Sequence, residues 1–127
     1  MLKYIVKGEP ISQVKAAENI ASIWDEYKQK KFNYGQEIRN QHGDSPLIVG
    51  PIELTISFYM PIYPAHKYDE LIRTPHQICP SLFSLFNFCE HVLLGIIFNK
   101  ECQIVRVSLR KAYDSSPRTE ISIKRVR

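Results

Sequence analysis

Long hydrophobic runs are absent from this sequence. No apolar stretch approaches the roughly 20 residues that a membrane-spanning helix needs, and the first residues do not show the pattern of a signal peptide. Cysteine is scarce: three residues cannot all form disulfides within one chain, so free thiols in a reducing compartment are expected. Internal repeats, low-complexity tracts and linkers are missing as well. These absences predict a cytoplasmic protein without membrane contact.

Length and composition are those of an ordinary globular domain. The chain has 127 residues, and residues 1–127 are expected to form a single domain. Hydrophobic residues make up 44% and charged residues 24%, so a normal hydrophobic core is expected. The net charge of +4 permits a polyanionic partner but does not require one.

Alternating apolar and polar residues predict β-strands. In the clearest case, Ile52–Met60, every second side chain is apolar. Residues 113–117 are rich in turn-forming side chains and are predicted to be the turn of a hairpin. The other predicted strands are Leu2–Val6, Gln103–Lys111 and Thr119–Arg125.

Two expectations concern the faces of these strands. In Gln103–Lys111, the side chains of Val105, Val107 and Leu109 are expected to point inward. The basic residues Arg106, Arg110 and Lys124 then share the outer face, either as a basic surface for an anion or as an ordinary solvated strand face.

Two helices are predicted. The first begins with Asp25 as its N-cap and runs to Gly43, with Tyr27, Tyr34 and Ile38 on one buried face. The segment before it, residues 11–24, fits a helix and a loop with a short strand equally well.

The second helix is the most apolar part of the chain. Ser81 is a suitable N-cap, and Gly95 is a suitable end because glycine enters the left-handed conformation without strain. A helix that is apolar on most sides lies inside a core or inside an oligomer. Its predicted buried face consists of Leu82, Leu85, Phe86, Cys89, Val92 and Leu93.

The stretch around this helix resembles the RusA family of Holliday-junction resolvases. The family motif is matched in spacing and residue type over Pro75–Val105, and its ending is matched over Lys111–Ile121. The residues that carry the resemblance are Pro75, His76, Pro80, Leu82, Leu85, Phe88, Leu93, Gly95, Ile96, Gln103, Ile104, Val105, Lys111, Tyr113, Pro117, Arg118, Thr119, Glu120 and Ile121.

The resemblance implies a fold, a partner and a chemistry. The expected fold is RusA-like α+β, with a mixed or antiparallel sheet packed against the central helix in a two-fold homodimer. The expected partner is branched DNA, in recombination and repair. Active members of the family cleave it with Mg²⁺ held by clustered aspartates.

The family's acidic positions are mostly replaced here. Ser81, Phe83, His91 and Lys100 stand at four of them, Glu101 alone stays acidic, and Asn87 replaces a lysine. Serine is a weak ligand for magnesium and phenylalanine is none, so neither a metal site nor a cofactor is expected. The sequence therefore predicts a degenerate resolvase, such as a decayed prophage resolvase, that binds branched DNA with little or no nuclease activity.

Three alternatives remain open. The acidic site of an active nuclease could be rebuilt from Glu101, Glu90, Asp69 and Glu70. The chain could instead be a protein-interaction module that keeps only the dimer. Histidine and cysteine side chains, which commonly bind zinc, also lie on this stretch. A zinc ion near His76 and Cys79 is the third alternative. The full set of such ligands is His76, Cys79, Cys89, His91 and Cys102.

Basic side chains are the candidates for DNA contact. Those on the first helix form either a phosphate-contacting ridge or a solvated face. Arg118 has the alternative of pairing with Glu120 or with a carboxylate of the turn. The candidate set is Lys28, Lys30, Lys31, Lys67, Arg73 and Arg118.

Overall fold

The computed structural model describes residues 1–13, 21–62, 76–77 and 80–126. Within these ranges the chain forms a four-stranded sheet, two α-helices and a short 3₁₀ turn. The α+β class that the sequence predicts is confirmed. In chain order the elements are β1 (Leu2–Lys7), α1 (Ala21–His42), β2 (Ile52–Met60), α2 (Leu82–Leu93), the 3₁₀ turn (Glu101–Gln103), β3 (Ile104–Tyr113) and β4 (Arg118–Arg125).

The sheet is mixed, and its strand order is β1-β4-β2-β3. β4 runs antiparallel to both β1 and β2, whereas β3 runs parallel to β2. The predicted hairpin at residues 113–117 is therefore wrong, because β2 lies between β3 and β4. The connection instead passes the end of β2, where the Asp114 backbone N–H donates to the Met60 carbonyl oxygen at 3.0 Å.

The core lies on one face of the sheet. The alternation predicted for β2 is confirmed, since Ile52, Leu54, Ile56, Phe58 and Met60 are at most 2% exposed. Residues of both helices and of the neighbouring strands join the same buried cluster. The helices thus cover the apolar face of the sheet, and the opposite face carries the polar side chains.

The edge strand β3 departs from the sequence prediction. Val105 and Val107, expected to point inward, are 58% and 40% exposed. A register shift between Ile52 and Glu53 leaves Val105 without a partner in β2, and an edge strand has a neighbour on one side only. Leu109, further along, is half-buried and does pack against the core.

Helix α1 begins four residues before the predicted N-cap. Asp25 lies inside the helix and is exposed, so its prediction as the N-cap is wrong. An exposed aspartate costs less than about 1 kcal/mol in a helix interior, and so it does not have to mark a helix end. The predicted buried face of Tyr27, Tyr34 and Ile38 is confirmed. Of the ambiguous segment 11–24, residues 14–20 lie outside the described residues.

Helix α2 begins and ends as the sequence predicts. The Ser81 hydroxyl accepts a hydrogen bond from the Ser84 backbone N–H at 3.2 Å, and Gly95 just beyond the helix has a φ of 88°. The buried face includes Phe88, whereas Phe86 is only half-buried. Neither helix in the described part of the chain has the apolar length that crossing a membrane requires.

Candidate functional site

The positions that match the family's polar residues lie along one exposed strip of the molecule. On α2 and its N-cap, Ser81, Phe83 and His91 are exposed and Asn87 is half-buried. Lys100 and Glu101 are exposed at the 3₁₀ turn that leads into β3. Phe83 is 76% exposed, so a large apolar side chain stands in solvent where an acidic one is expected. The strip is mostly exposed, and Glu101 is the position in it that the resemblance predicts to have stayed acidic.

Three side chains at one end of this strip form a cluster of potential metal ligands. Glu90 and His91, in the last turn of α2, meet Glu101 of the 3₁₀ turn, and one ligand atom from each lies within 4.8 Å of the others. Of the residues proposed for a rebuilt acidic site, the structure thus brings Glu90 and Glu101 together. Asp69 and Glu70 lie outside the described residues. The third member, His91, was identified from the sequence as a replaced position and as one of the zinc-type ligands.

The surroundings of Glu90 disfavour the ionised form of its side chain. Burial raises the pKa of Glu90, the nearby charge of Glu101 raises it further, and His91 partly offsets the rise. Two carboxylates that repel each other in this way are stabilised when a cation lies between them. The arrangement can therefore hold either a proton or a cation.

A single glutamine side chain fixes the turn that carries Glu101. The Gln103 carboxamide oxygen accepts hydrogen bonds from the backbone N–H groups of Asn99 at 3.2 Å and Lys100 at 2.9 Å. Its amide nitrogen donates to the carbonyl oxygens of Ile48 and Gly50, each at 2.9 Å. The turn is thereby attached to the loop that precedes β2, so the backbone at Glu101 is held in place.

Beside the cluster lies a shallow groove between α1 and α2. It has a volume of about 460 Å³, and Lys28, Lys31 and Arg39 line one wall while His91 lines the other. We refer to it as the basic groove. Lys30 does not line it and forms an ion pair with Glu26 at 3.2 Å. Two of the three predicted DNA contacts on α1 thus face the same depression as His91.

Arg118 is engaged in contacts within the chain. Its guanidinium donates to Glu120 at 2.9 Å, to Asp114 at 3.3 Å and to the Ser116 carbonyl oxygen at 2.8 Å, and it lies 4.1 Å from the centre of the Tyr59 ring. The structure shows the alternative that the sequence offered: Arg118 pairs with Glu120 and with Asp114, a carboxylate of the turn. Lys67 and Arg73, the remaining predicted DNA contacts, lie outside the described residues.

The outer face of the sheet is less basic than the sequence suggests. Glu53 of β2 lies in register between Arg106 and Lys124, and its carboxylate is 3.6 Å from the Arg106 guanidinium. Arg110 donates to the Tyr59 hydroxyl at 3.1 Å. An ordinary strand face with internal charge pairing fits these contacts better than an anion-binding surface.

The cysteines of the described residues do not join a cluster of three metal ligands. Cys89 is buried 3.6 Å from the Tyr34 hydroxyl, and burial raises the pKa of its thiol to about 12, so the reactive thiolate is suppressed. Cys102 is an exposed free thiol. His76 is buried, and burial followed by the charge of Lys111 lowers its pKa. Cys79, its proposed zinc partner, lies outside the described residues.

Comparisons with known proteins identify a family for most of the chain. The sequence model of the family described as endodeoxyribonuclease RusA matches residues 7–124. An uncharacterized Bacillus subtilis (strain 168) protein named YqaN is similar to this chain, with 25% identity over 139 residues that cover 98% of this chain and 96% of YqaN. The family match includes α2, the Glu90–His91–Glu101 cluster and the basic groove.

Proposed function

The chain belongs to the RusA endodeoxyribonuclease family, and from this premise we propose that it binds branched DNA of the Holliday-junction type in DNA recombination and repair. We further propose that it acts as a single RusA-like domain, in the cytoplasm, and as a degenerate resolvase with little or no Mg²⁺-dependent nuclease activity. The single observation that carries the DNA-binding proposal is the basic groove, which Lys28, Lys31 and Arg39 line opposite His91.

The basic groove suits a phosphate backbone. Lys28 and Arg39 are exposed, Lys31 is half-buried, and all three face one depression. Cations gathered in a groove concentrate positive potential there, and each phosphate that they neutralise releases bound counterions from the DNA. Binding through such contacts depends on backbone charge, and it therefore weakens as salt is added.

A matched pair of double variants tests the DNA-binding proposal. Lys28→Ala/Lys31→Ala is expected to make the slope of log affinity against log salt less negative by about 1.8, because each lost phosphate contact removes about 0.9 from the slope on duplex arms. The control Lys3→Ala/Lys7→Ala removes the same charge from exposed positions on β1 and is expected to leave the slope unchanged. Fluorescence anisotropy with a labelled four-way junction, titrated at several salt concentrations, measures both.

Two results would overturn these proposals. If the parent chain fails to bind the junction at low salt, or binds equally well at low and high salt, the branched-DNA proposal fails. If both double variants change the slope equally, the phosphate contacts are not in the basic groove.

We also propose that the chain forms a two-fold homodimer. The support is the exposed apolar surface of β3, the outermost strand of the described sheet on its side, where Val105 and Val107 are 58% and 40% exposed. Light scattering at micromolar concentration is expected to give the mass of a dimer, and Val107→Lys is expected to shift it toward the monomer. Ile5→Lys, on the opposite edge strand β1, is the control that should remain dimeric. A parent chain that is monomeric at this concentration would refute the proposal.

One observation favours a second candidate function, an active junction nuclease with a rebuilt site. The Glu90–His91–Glu101 cluster places three potential metal ligands beside the basic groove. Metal-assisted cleavage of a phosphodiester needs ligands of this kind close to the bound phosphate. Cleavage of a junction by the parent chain, abolished by Glu101→Ala, would establish this second function in place of the first.

A further inference from the structure

We propose that Glu90, His91 and Glu101 bind a divalent first-row transition-metal ion, such as Mn²⁺ or Zn²⁺, in preference to Mg²⁺. This inference extends the proposed function. It depends on DNA binding only for the phosphate group that the bound ion would contact. Binding of the ion by the chain alone needs no DNA.

The chemistry of the donors determines the preference. One imidazole nitrogen and two carboxylate oxygens make a mixed set. Mg²⁺ favours an octahedron of oxygen ligands and gives up its water reluctantly, whereas an imidazole ligand suits Zn²⁺ and other later first-row ions. Mn²⁺ is the weakest binder of the first-row series, so it is the most demanding probe of the site. The replacement of an acidic residue by His91 thus changes the preferred metal without removing the site.

The geometry is compatible with one ion. Ligand atoms at about 2.1 Å from a metal lie roughly 3 to 4 Å from one another, and the ligand atoms here are within 4.8 Å before any ion is bound. Small rotamer changes close that difference. Glu90 and His91 come from one turn of α2, and Glu101 comes from the turn that Gln103 holds in place, so both halves of the cluster are carried by ordered backbone.

The basic groove adjoins the cluster. His91 belongs to the cluster and also lines the groove, opposite Lys28 and Lys31. Three protein ligands leave coordination positions open for water or for a further oxygen. A phosphate oxygen in the groove would therefore meet cationic side chains on one side and the metal on the other.

Electron paramagnetic resonance with Mn²⁺ tests the proposal on the full chain, stripped of metal by a chelator and free of DNA. The parent chain is expected to quench the free Mn²⁺ signal with one ion per chain, and a tenfold excess of Mg²⁺ should leave most of it bound. His91→Ala and Glu101→Gln are each expected to weaken binding by at least about tenfold, as loss of even an outer-shell partner does. Both side chains are exposed, so folding should be retained.

Two controls define the site. Glu26→Gln removes an exposed carboxylate from α1, outside the cluster, and is expected to bind Mn²⁺ like the parent. In a parallel Zn²⁺ titration, Cys102→Ser tests the exposed thiol next to Glu101, and unchanged binding supports the proposed ligand set.

Several outcomes would overturn the inference. These are no bound Mn²⁺, equal losses in the cluster variants and in Glu26→Gln, displacement of Mn²⁺ by an equal concentration of Mg²⁺, or loss of Zn²⁺ binding in Cys102→Ser. Junction binding measured in the presence of chelator separates this failure from failure of the proposed function. If the chain binds junctions in chelator but binds no Mn²⁺, only the metal-site proposal is refuted. If it binds Mn²⁺ but does not bind junctions, only the DNA-binding proposal is refuted.

Discussion

Phe88→Ala is expected to lower the free energy of unfolding by about 3 to 5 kcal/mol, the usual cost of removing a buried phenylalanine side chain. Phe88 is 1% exposed, and its ring meets the edges of two rings of α1, Tyr27 at 5.9 Å and Tyr34 at 5.1 Å between centroids. The change leaves a cavity between α2 and α1. The loss is a large part of the roughly 5 to 15 kcal/mol that stabilises a typical domain. Urea unfolding followed by circular dichroism measures it.

Phe83→Ala is the matched control for this substitution. It removes the same side chain from the same helix, but Phe83 is 76% exposed, and surface substitutions usually change stability by less than about 0.5 kcal/mol. Equal destabilisation by the two variants would show that α2 does not pack on α1 through Phe88. Because α1 and α2 are the two walls of the basic groove, the Phe88 contact also maintains the spacing of Lys28 and Lys31 from His91.

Features that depend on local signals could be predicted from the sequence. Helix α2 is bounded by Ser81, whose hydroxyl caps it, and by Gly95, whose positive φ other residues adopt only with strain. Strand β2 was predicted with its true bounds, Ile52–Met60, because its alternation is complete and every inward residue is buried. In each case the deciding interaction lies within a few residues of the signal.

Features that depend on contacts between distant segments could not be predicted. The alternation in β3 shows which side chains share a face, but it does not show which strands are its neighbours. Val105 and Val107 are exposed because β3 lies at the edge of the sheet. The predicted hairpin failed for the same reason, since β2 is inserted between two strands that are consecutive in the sequence.

The candidate site also combines features that local signals predicted with features that depend on contacts between distant segments. The resemblance predicted replaced positions at Ser81, Phe83 and His91, and the structure shows that these side chains are exposed. The sequence named Glu90 and Glu101 together as residues of a rebuilt acidic site, but their meeting with His91 depends on how the chain reverses after Gly95. Arg118 could be assigned to its carboxylate partners only once Asp114 and Glu120 were placed around it.

Restoring the acidic residues is expected to have the largest effect on activity. The parent chain should cleave four-way junctions with Mg²⁺ at a rate close to background, whereas aspartates at Ser81, Phe83, His91 and Lys100 should raise that rate by at least about 100-fold, the usual effect of one lost charged catalytic group. Effects of groups that act together are not additive, so no larger factor is assigned to the set of four. Cleavage of a labelled junction under single-turnover conditions measures both rates.

The structure indicates that the four changes are compatible with the fold. All four positions are exposed, and aspartate is as good an N-cap as the serine that it replaces at position 81. His91→Asp also turns the mixed ligand set into carboxylates alone, so the restored variant should use Mg²⁺ where the parent site prefers a transition-metal ion.

Glu101→Ala in the restored variant is the control, because the resemblance predicts Glu101 to be the one acidic family position that the chain has kept. It should lower the rate of the restored variant by at least about 100-fold, because Glu101 would then be one of the charged groups that act at the reacting phosphate. Cleavage by the parent chain itself would overturn the proposal that it is a degenerate resolvase. If the parent itself nicks junctions symmetrically with Mg²⁺ or Mn²⁺, and Glu101→Ala abolishes that activity, then the Glu90–His91–Glu101 cluster is a working nuclease site and the chain is an active resolvase.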